Sequence, residues 1–102
     1  MRIFHLTTAD DWAEAQRSGH YTVSTRGRTL EQEGYIHCSR PHQVEPVRRR
    51  YYDGVPDLVL LVVETDLLTP PWRTEQLAGM AEPHPHVYGP IDLAAVVDVR
   101  PV

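Results

Sequence analysis

The chain has 102 residues, 41% hydrophobic and 24% charged, with ten Lys+Arg against fourteen Asp+Glu and a net charge of −4. That length gives one domain, residues 1–102, with one core and no room for a second. The acidic balance argues against a dedicated nucleic-acid binder, which presents an excess of cations to phosphates. A single cysteine, Cys38, excludes an internal disulfide framework and points to a reducing, cytoplasmic setting. No basic head followed by an apolar run opens the chain, so no secretion signal is expected. The longest apolar run, Leu58 to Val63, is too short to span a bilayer.

Taken in chain order, Arg2 to Leu6 predicts a first strand. Thr7 or Thr8 then offers a hydroxyl cap for a helix over 9–17, with Asp10 and Asp11 in its first turn and Gly19 just past its end. Tyr21 to Thr25 reads as a short strand and Arg26 to Thr29 as an exposed loop. Leu30 to Glu33 predicts one helical turn closed by Gly34, and Tyr35 to Cys38 a second strand. Ser39 is placed to cap a helix with Pro41 in its first turn. Val44, Val47 and Tyr51 supply an apolar stripe, and Pro46 either kinks this helix or marks where its regular part begins. Asp53-Gly54 is a turn. Leu58 to Glu64 predicts a strand covered on both faces, because it lacks polar alternation. Trp72 to Gln76 is a further strand, Gly79 to Pro85 a loop, Ile91 to Ala94 a turn, and Val96 to Val99 the last strand. The sum is an α+β domain with about five or six strands and two helices.

Three segments carry the candidate chemistry. Ile3 and His5 share one face of the first strand, with Phe4 on the other. His37 and Ser39 share a face, and Cys38 points away from it. That phase makes Cys38 a buried small hydrophobe rather than a nucleophile. His84, His86 and Tyr88 fall on one side of an extended stretch. If the three segments meet, imidazoles and hydroxyls converge on one cleft. A zinc set could be drawn from His5, His37, His84 and His86, but no pair has tight ligand spacing. Arg48 to Arg50 reads as solvated cations near a helix C-terminus. Glu64 and Glu75 are the best-placed carboxylates. Glu75 can orient a ligand hydroxyl or pair with an arginine. No glycine-rich phosphate loop is present.

Phe4-His5-Leu6, Gly34-Tyr-Ile-His-Cys-Ser39 and Pro85-His-Val-Tyr-Gly-Pro90 resemble the motifs of a small bacterial family, domain of unknown function 952, over essentially the whole chain. His84 departs from that pattern, which more often has an aromatic residue before Pro-His; this favours His86 as the functional imidazole. More distantly, His5-Leu6-Thr7 followed by a His-x-Ser strand end is similar to ADP-ribosyltransferase folds, especially the RNA 2′-phosphotransferase branch. That resemblance implies two small mixed or antiparallel sheets forming a split cleft that holds NAD. It implies that His5, with Thr7 in the same motif, contacts ribose, and that Tyr35, His37 and Ser39 line the second wall. His86 and Tyr88 would stand near the third motif, so His37, His86 and Tyr88 become the acid–base or polar groups. Two departures remain: Leu6 replaces a glycine, and the third motif shows no clear catalytic glutamate. The expectation is a domain binding NAD or a related small-molecule nucleotide, which transfers or hydrolyses ADP-ribose. The alternatives are a non-catalytic binding module of the same fold and a histidine-ligated metal enzyme. RNA end processing is disfavoured by the charge balance.

Overall fold

The computed structural model describes residues 1–102 and arranges eight strands and three α-helices as an α+β fold whose sheets are all antiparallel. β1 (Arg2–Thr8), β5 (Leu58–Glu64) and β8 (Val96–Pro101) form one sheet with β5 in the middle. β4 (Ile36–His37), β7 (His84–Val87) and β6 (Trp72–Glu75) form a second, with β7 in the middle. β2 (Val23–Thr25) and β3 (Arg28–Thr29) make a hairpin. The two sheets are stitched edge to edge, because Phe4 and Ser39 exchange backbone N–H···O bonds of 2.8 and 2.7 Å.

Local signals account for most of the elements. Thr8 caps α1 (Ala9–Ser18) by accepting the Asp11 N–H at 3.1 Å, and Gly19 closes it with φ +85°. Thr29 and Gln32 form a reciprocal capping box on α2 (Leu30–Glu33), which Gly34 ends. The segment after Ser39 differs from expectation. Ser39 does not cap a helix. Arg40 precedes a 3-10 turn over Pro41–Gln43, and α3 (Val44–Tyr51) follows. Pro46 therefore lies in the first turn of α3, where its missing N–H has no intrahelical partner to lose. The expected loop at Arg26 to Thr29 is the hairpin turn and its second strand.

β5 is packed on both faces, as the unbroken apolar run predicts. Leu61 and Val63 join Ile3 and Ile36 in the main core, while Leu58 joins Leu6, Val47 and Tyr52 in a smaller one. Burying a side chain such as Leu61, fully inaccessible here, contributes roughly 1.5–3 kcal/mol.

β7 is the element that sequence reading leaves inside a loop and its aftermath. Its second residue is Pro85, in the middle strand of a sheet, where proline is normally excluded. The cost is met locally. Cys38 N–H donates to Pro85 C=O at 2.9 Å, and an ordinary residue at 85 would return a bond to Cys38 C=O. Proline cannot return it. The His84 Nδ1–H reaches the same carbonyl at 3.2 Å instead.

Candidate functional site

Register decides which side chains of the second sheet share a face. His37 pairs with His86, which pairs with Arg73 on the other side; Glu75 pairs with His84. Alternation adds Tyr35 and Ser39 to the His37 side and Tyr88 to the His86 side. The opposite face carries Ile36, Cys38 and Val87 into the main core, with Trp72 against it. The small sheet thus buries an apolar face and presents a second face built of imidazole, phenol, guanidinium and carboxylate.

On that face the rings pack closely. Tyr35 stacks on His86 at 4.1 Å between centroids, and His37 stands 4.7 Å from His84 and 5.5 Å from His86. His86 is wholly inaccessible to solvent. Its Nδ1–H donates to Glu75 Oε1 at 3.0 Å, and the Tyr88 hydroxyl donates to the same oxygen. Those two hydrogen bonds, Tyr88 first, hold the Glu75 carboxyl below the usual carboxylate range. The bond to Glu75 in turn raises the Tyr88 phenol. The Arg73 guanidinium lies over the Tyr88 ring, 4.4 Å from its centroid. His86 Nε2 is buried and has no hydrogen-bond partner.

His37 is the pivot. Its Nε2 is also buried without a partner. Burial, then the neighbouring imidazoles of His84, His86 and His5, depress its pKa to about 3, so the ring is neutral at pH 7. The same ring forms part of the wall of a cavity of about 220 Å³. That cavity is also lined by Arg26 and Arg28 of the hairpin, by Tyr35, and by Tyr51 of α3. Tyr51 stands edge-on to His37 at 6.5 Å.

His5, given the ribose contact by resemblance, lies in the interior, 2% exposed. Its Nδ1–H donates to the His37 carbonyl at 2.7 Å, and its Nε2 accepts the Tyr21 hydroxyl at 2.6 Å. Both nitrogens are committed, and burial lowers its pKa to about 4. Thr7 faces inward too, 1% exposed, with its hydroxyl unpartnered. Ser39 is 5% exposed; its backbone makes the stitch between the sheets, and the residue joins His5 and His37 around a cavity of only about 10 Å³. The three segments do meet, but around His37 rather than in one open cleft. Tyr35, His37, His86 and Tyr88 share one face, while His5 supports His37 from behind. Cys38 is buried in the core, which pushes its thiol up and leaves it unreactive. No group of three or more His, Cys, Asp or Glu side chains is arranged to hold a metal ion. The four-histidine zinc set is not assembled, because both nitrogens of His5 are taken, Nδ1 by the His37 carbonyl and Nε2 by the Tyr21 hydroxyl.

Three contributors escaped sequence reading. Arg26 and Arg28 read as a solvated loop, although an Arg-Gly-Arg turn between two strand-like runs is itself a hairpin signal. Tyr51 read only as part of an apolar stripe. Glu75 was visible as a strand carboxylate, but nothing local places it beside His86 and Tyr88, eleven and thirteen residues on.

A solved structure, protein CC0527 from Caulobacter crescentus, has this fold: at 25% identity the TM-score is 0.85, covering 99% of this chain and 85% of that one. A double-mutant form of the same protein matches at 24% identity and a TM-score of 0.84, with the same coverage. No curated protein matches the chain. The family model described as "Protein of unknown function (DUF952)" matches residues 6–99, a span that holds the His37 strand end and the 84–90 motif, and the chain belongs to that family.

Proposed function

We propose that this domain binds NAD or a related nucleotide in the cavity beside His37 and acts on its ADP-ribosyl part, as an ADP-ribosyltransferase-like protein would. One observation carries the reading. A neutral, unpartnered imidazole stands in the wall of a cavity that two arginines and two tyrosines complete. Guanidinium groups pair with phosphate oxygens in bidentate geometry. Tyrosine rings offer flat apolar faces to a base. Glu33, on the same wall, pairs with Arg28 at 3.3 Å and keeps further lone pairs to accept from a sugar hydroxyl. His5 has no free nitrogen for ribose, so that contact passes to groups of the cavity itself.

Loss of nicotinamide builds positive charge on the sugar, and a carboxylate offsets it. Glu75 is the carboxylate hydrogen-bonded within the ring cluster. It supplies on the folded sheet face the negative charge that the third motif lacks in sequence. His37, neutral at pH 7, can take a proton from an attacking hydroxyl or water. A second reading, binding without turnover, is favoured by the complete enclosure of His86 behind Tyr35. There the His86 ring touches a ligand only if Tyr35 moves.

Calorimetric titration with NAD, ADP-ribose and NADP tests the binding. Wild type gives heat with at least one of them, and Arg26→Ala/Arg28→Ala weakens it by roughly tenfold or more. No heat from any of the three removes the nucleotide reading. Free nicotinamide then separates the two readings. Steady release that His37→Ala abolishes shows turnover, and binding without release leaves the binding module.

A further inference from the structure

A second cavity, of about 250 Å³, lies on the other side of one side chain. Its floor includes His84, and Gln43, Pro46, Val47 and Arg50 form a wall from the α3 region. Met80 lines both this cavity and the one beside His37. Behind that partition the His37 and His84 rings stand 4.7 Å apart. The loop that carries Met80 crosses from Leu77, on the His37 side, to Glu82, on the His84 side.

We infer that the two cavities are halves of one binding groove, divided by Met80, and that the groove takes an elongated ligand with chemically different ends. The inference rests on the nucleotide reading above and extends it. One end is anionic and meets Arg26 and Arg28. The other is a planar ring bearing an N–H donor. His84 gives its Nδ1–H to the Cys38 carbonyl, so its Nε2 offers a lone pair to such a donor. Pro46 and Val47 supply apolar wall for the ring. His37 then falls at mid-length, beside the junction of the two ends.

Size supports the union. Sites for small molecules run from about 300 Å³ upward. Each cavity alone falls short of that, and the two joined reach it. The partition is also the kind of group that moves. Met80 is half-buried, and its sulfur, a weak acceptor, takes only long bonds of 3.9 Å from Arg50 and Tyr51. A methionine turns about three bonds at low cost. The loop backbone can stay where it is while the side chain turns: Met80 N–H donates to Leu77 C=O at 3.1 Å, Arg50 to the Gly79 C=O at 3.1 Å, and the Gln76 amide to the Met80 C=O.

The test compares a two-ended probe, NAD, with an anion-only probe, inorganic pyrophosphate, on the full chain. Met80→Ala removes the side chain that NAD must displace, and tightens NAD about two- to tenfold with pyrophosphate unchanged. Met80→Trp and His84→Phe each weaken NAD and spare pyrophosphate. Equal shifts for both probes, or no shift for either, overturn the joined groove while leaving the nucleotide reading intact. If neither probe binds any variant, the nucleotide reading itself has failed. The groove is then decided by the crystal structure of Met80→Ala. One continuous cavity from Arg26 to His84 upholds it, and two cavities still walled apart overturn it.

Discussion

β5 and β7 hold the same station, the middle strand of a three-stranded antiparallel sheet, and fill it with opposite side chains. β5 is apolar on both faces and is gripped by two core clusters. β7 gives one face to the core through Val87 and the other to His84 and His86. The first sheet holds the molecule together. The second surrenders half its packing to rings whose Nε2 atoms find no partner at His37 and His86. Unpartnered buried nitrogens destabilise a fold by about 1–3 kcal/mol each. Of the two, His37 also lines a cavity, and the second sheet is where the proposed site would stand.

The largest effect should come from the apolar side of this contrast. Leu61→Ala, at a wholly inaccessible site, is expected to cost about 2–5 kcal/mol in urea unfolding. His84→Ala should cost clearly less, and equal losses would erase the distinction between the sheets. Acid should find the imidazoles next. His5 and His37 have folded pKa values of about 4 and about 3, against roughly 6.5 in the unfolded chain. Their neutral forms are favoured by the fold, so their contribution is complete above about pH 6.5 and drains away as pH falls toward those values. For His5 alone the loss approaches roughly 3 kcal/mol. Urea midpoints at pH 7, 5.5 and 4.5 should fall steadily, and His5→Gln should flatten the slope. A midpoint constant over that range would mean the rings are not held neutral.

A smaller effect sharpens the account of the 84–90 motif. A Cβ on Gly89 would stand 2.6 Å from the Pro70 Cβ, and Gly89→Ala is expected to cost about 1–3 kcal/mol. An unshifted thermal midpoint would show that Pro70 yields freely. The smallest change is the most telling. His37→Leu removes an unpartnered nitrogen and should leave stability level or raise it by up to about 1 kcal/mol, while nucleotide binding is lost. A marked destabilisation would show instead that the ring is a structural member with a partner.

Much of the first sheet was legible because its signals are local. The apolar run at 58–63, the Thr8 cap and the Gly19 stop each act within a few residues. The second sheet was not. β7 begins between Pro83 and Pro85, which argues against a strand, and only the His84 side chain offsets the missing donor. Among the site residues, alternation put His37 and Ser39 on one face and Cys38 on the other, and it aligned His86 with Tyr88. It did not reveal that His5 spends both nitrogens on Tyr21 and on the backbone of His37, sixteen and thirty-two residues away. Such pairings are set by tertiary contact, which no local pattern encodes.

The register of β1 bears on how the chain is made. Its partners run from Glu64, opposite Arg2, to Leu58, opposite Thr8. A strand synthesised early thus waits for one that leaves the ribosome some fifty to sixty residues later. At roughly 5–20 residues per second the delay lasts several seconds. Meanwhile Ile3, Phe4 and Leu6 can meet only partners made before β5, such as Ile36, Ser39, Val47 and Tyr52, and closing the longer loop to β5 is slow. Nascent-chain folding should therefore switch on abruptly once Glu64 clears the exit tunnel, rather than build up helix by helix.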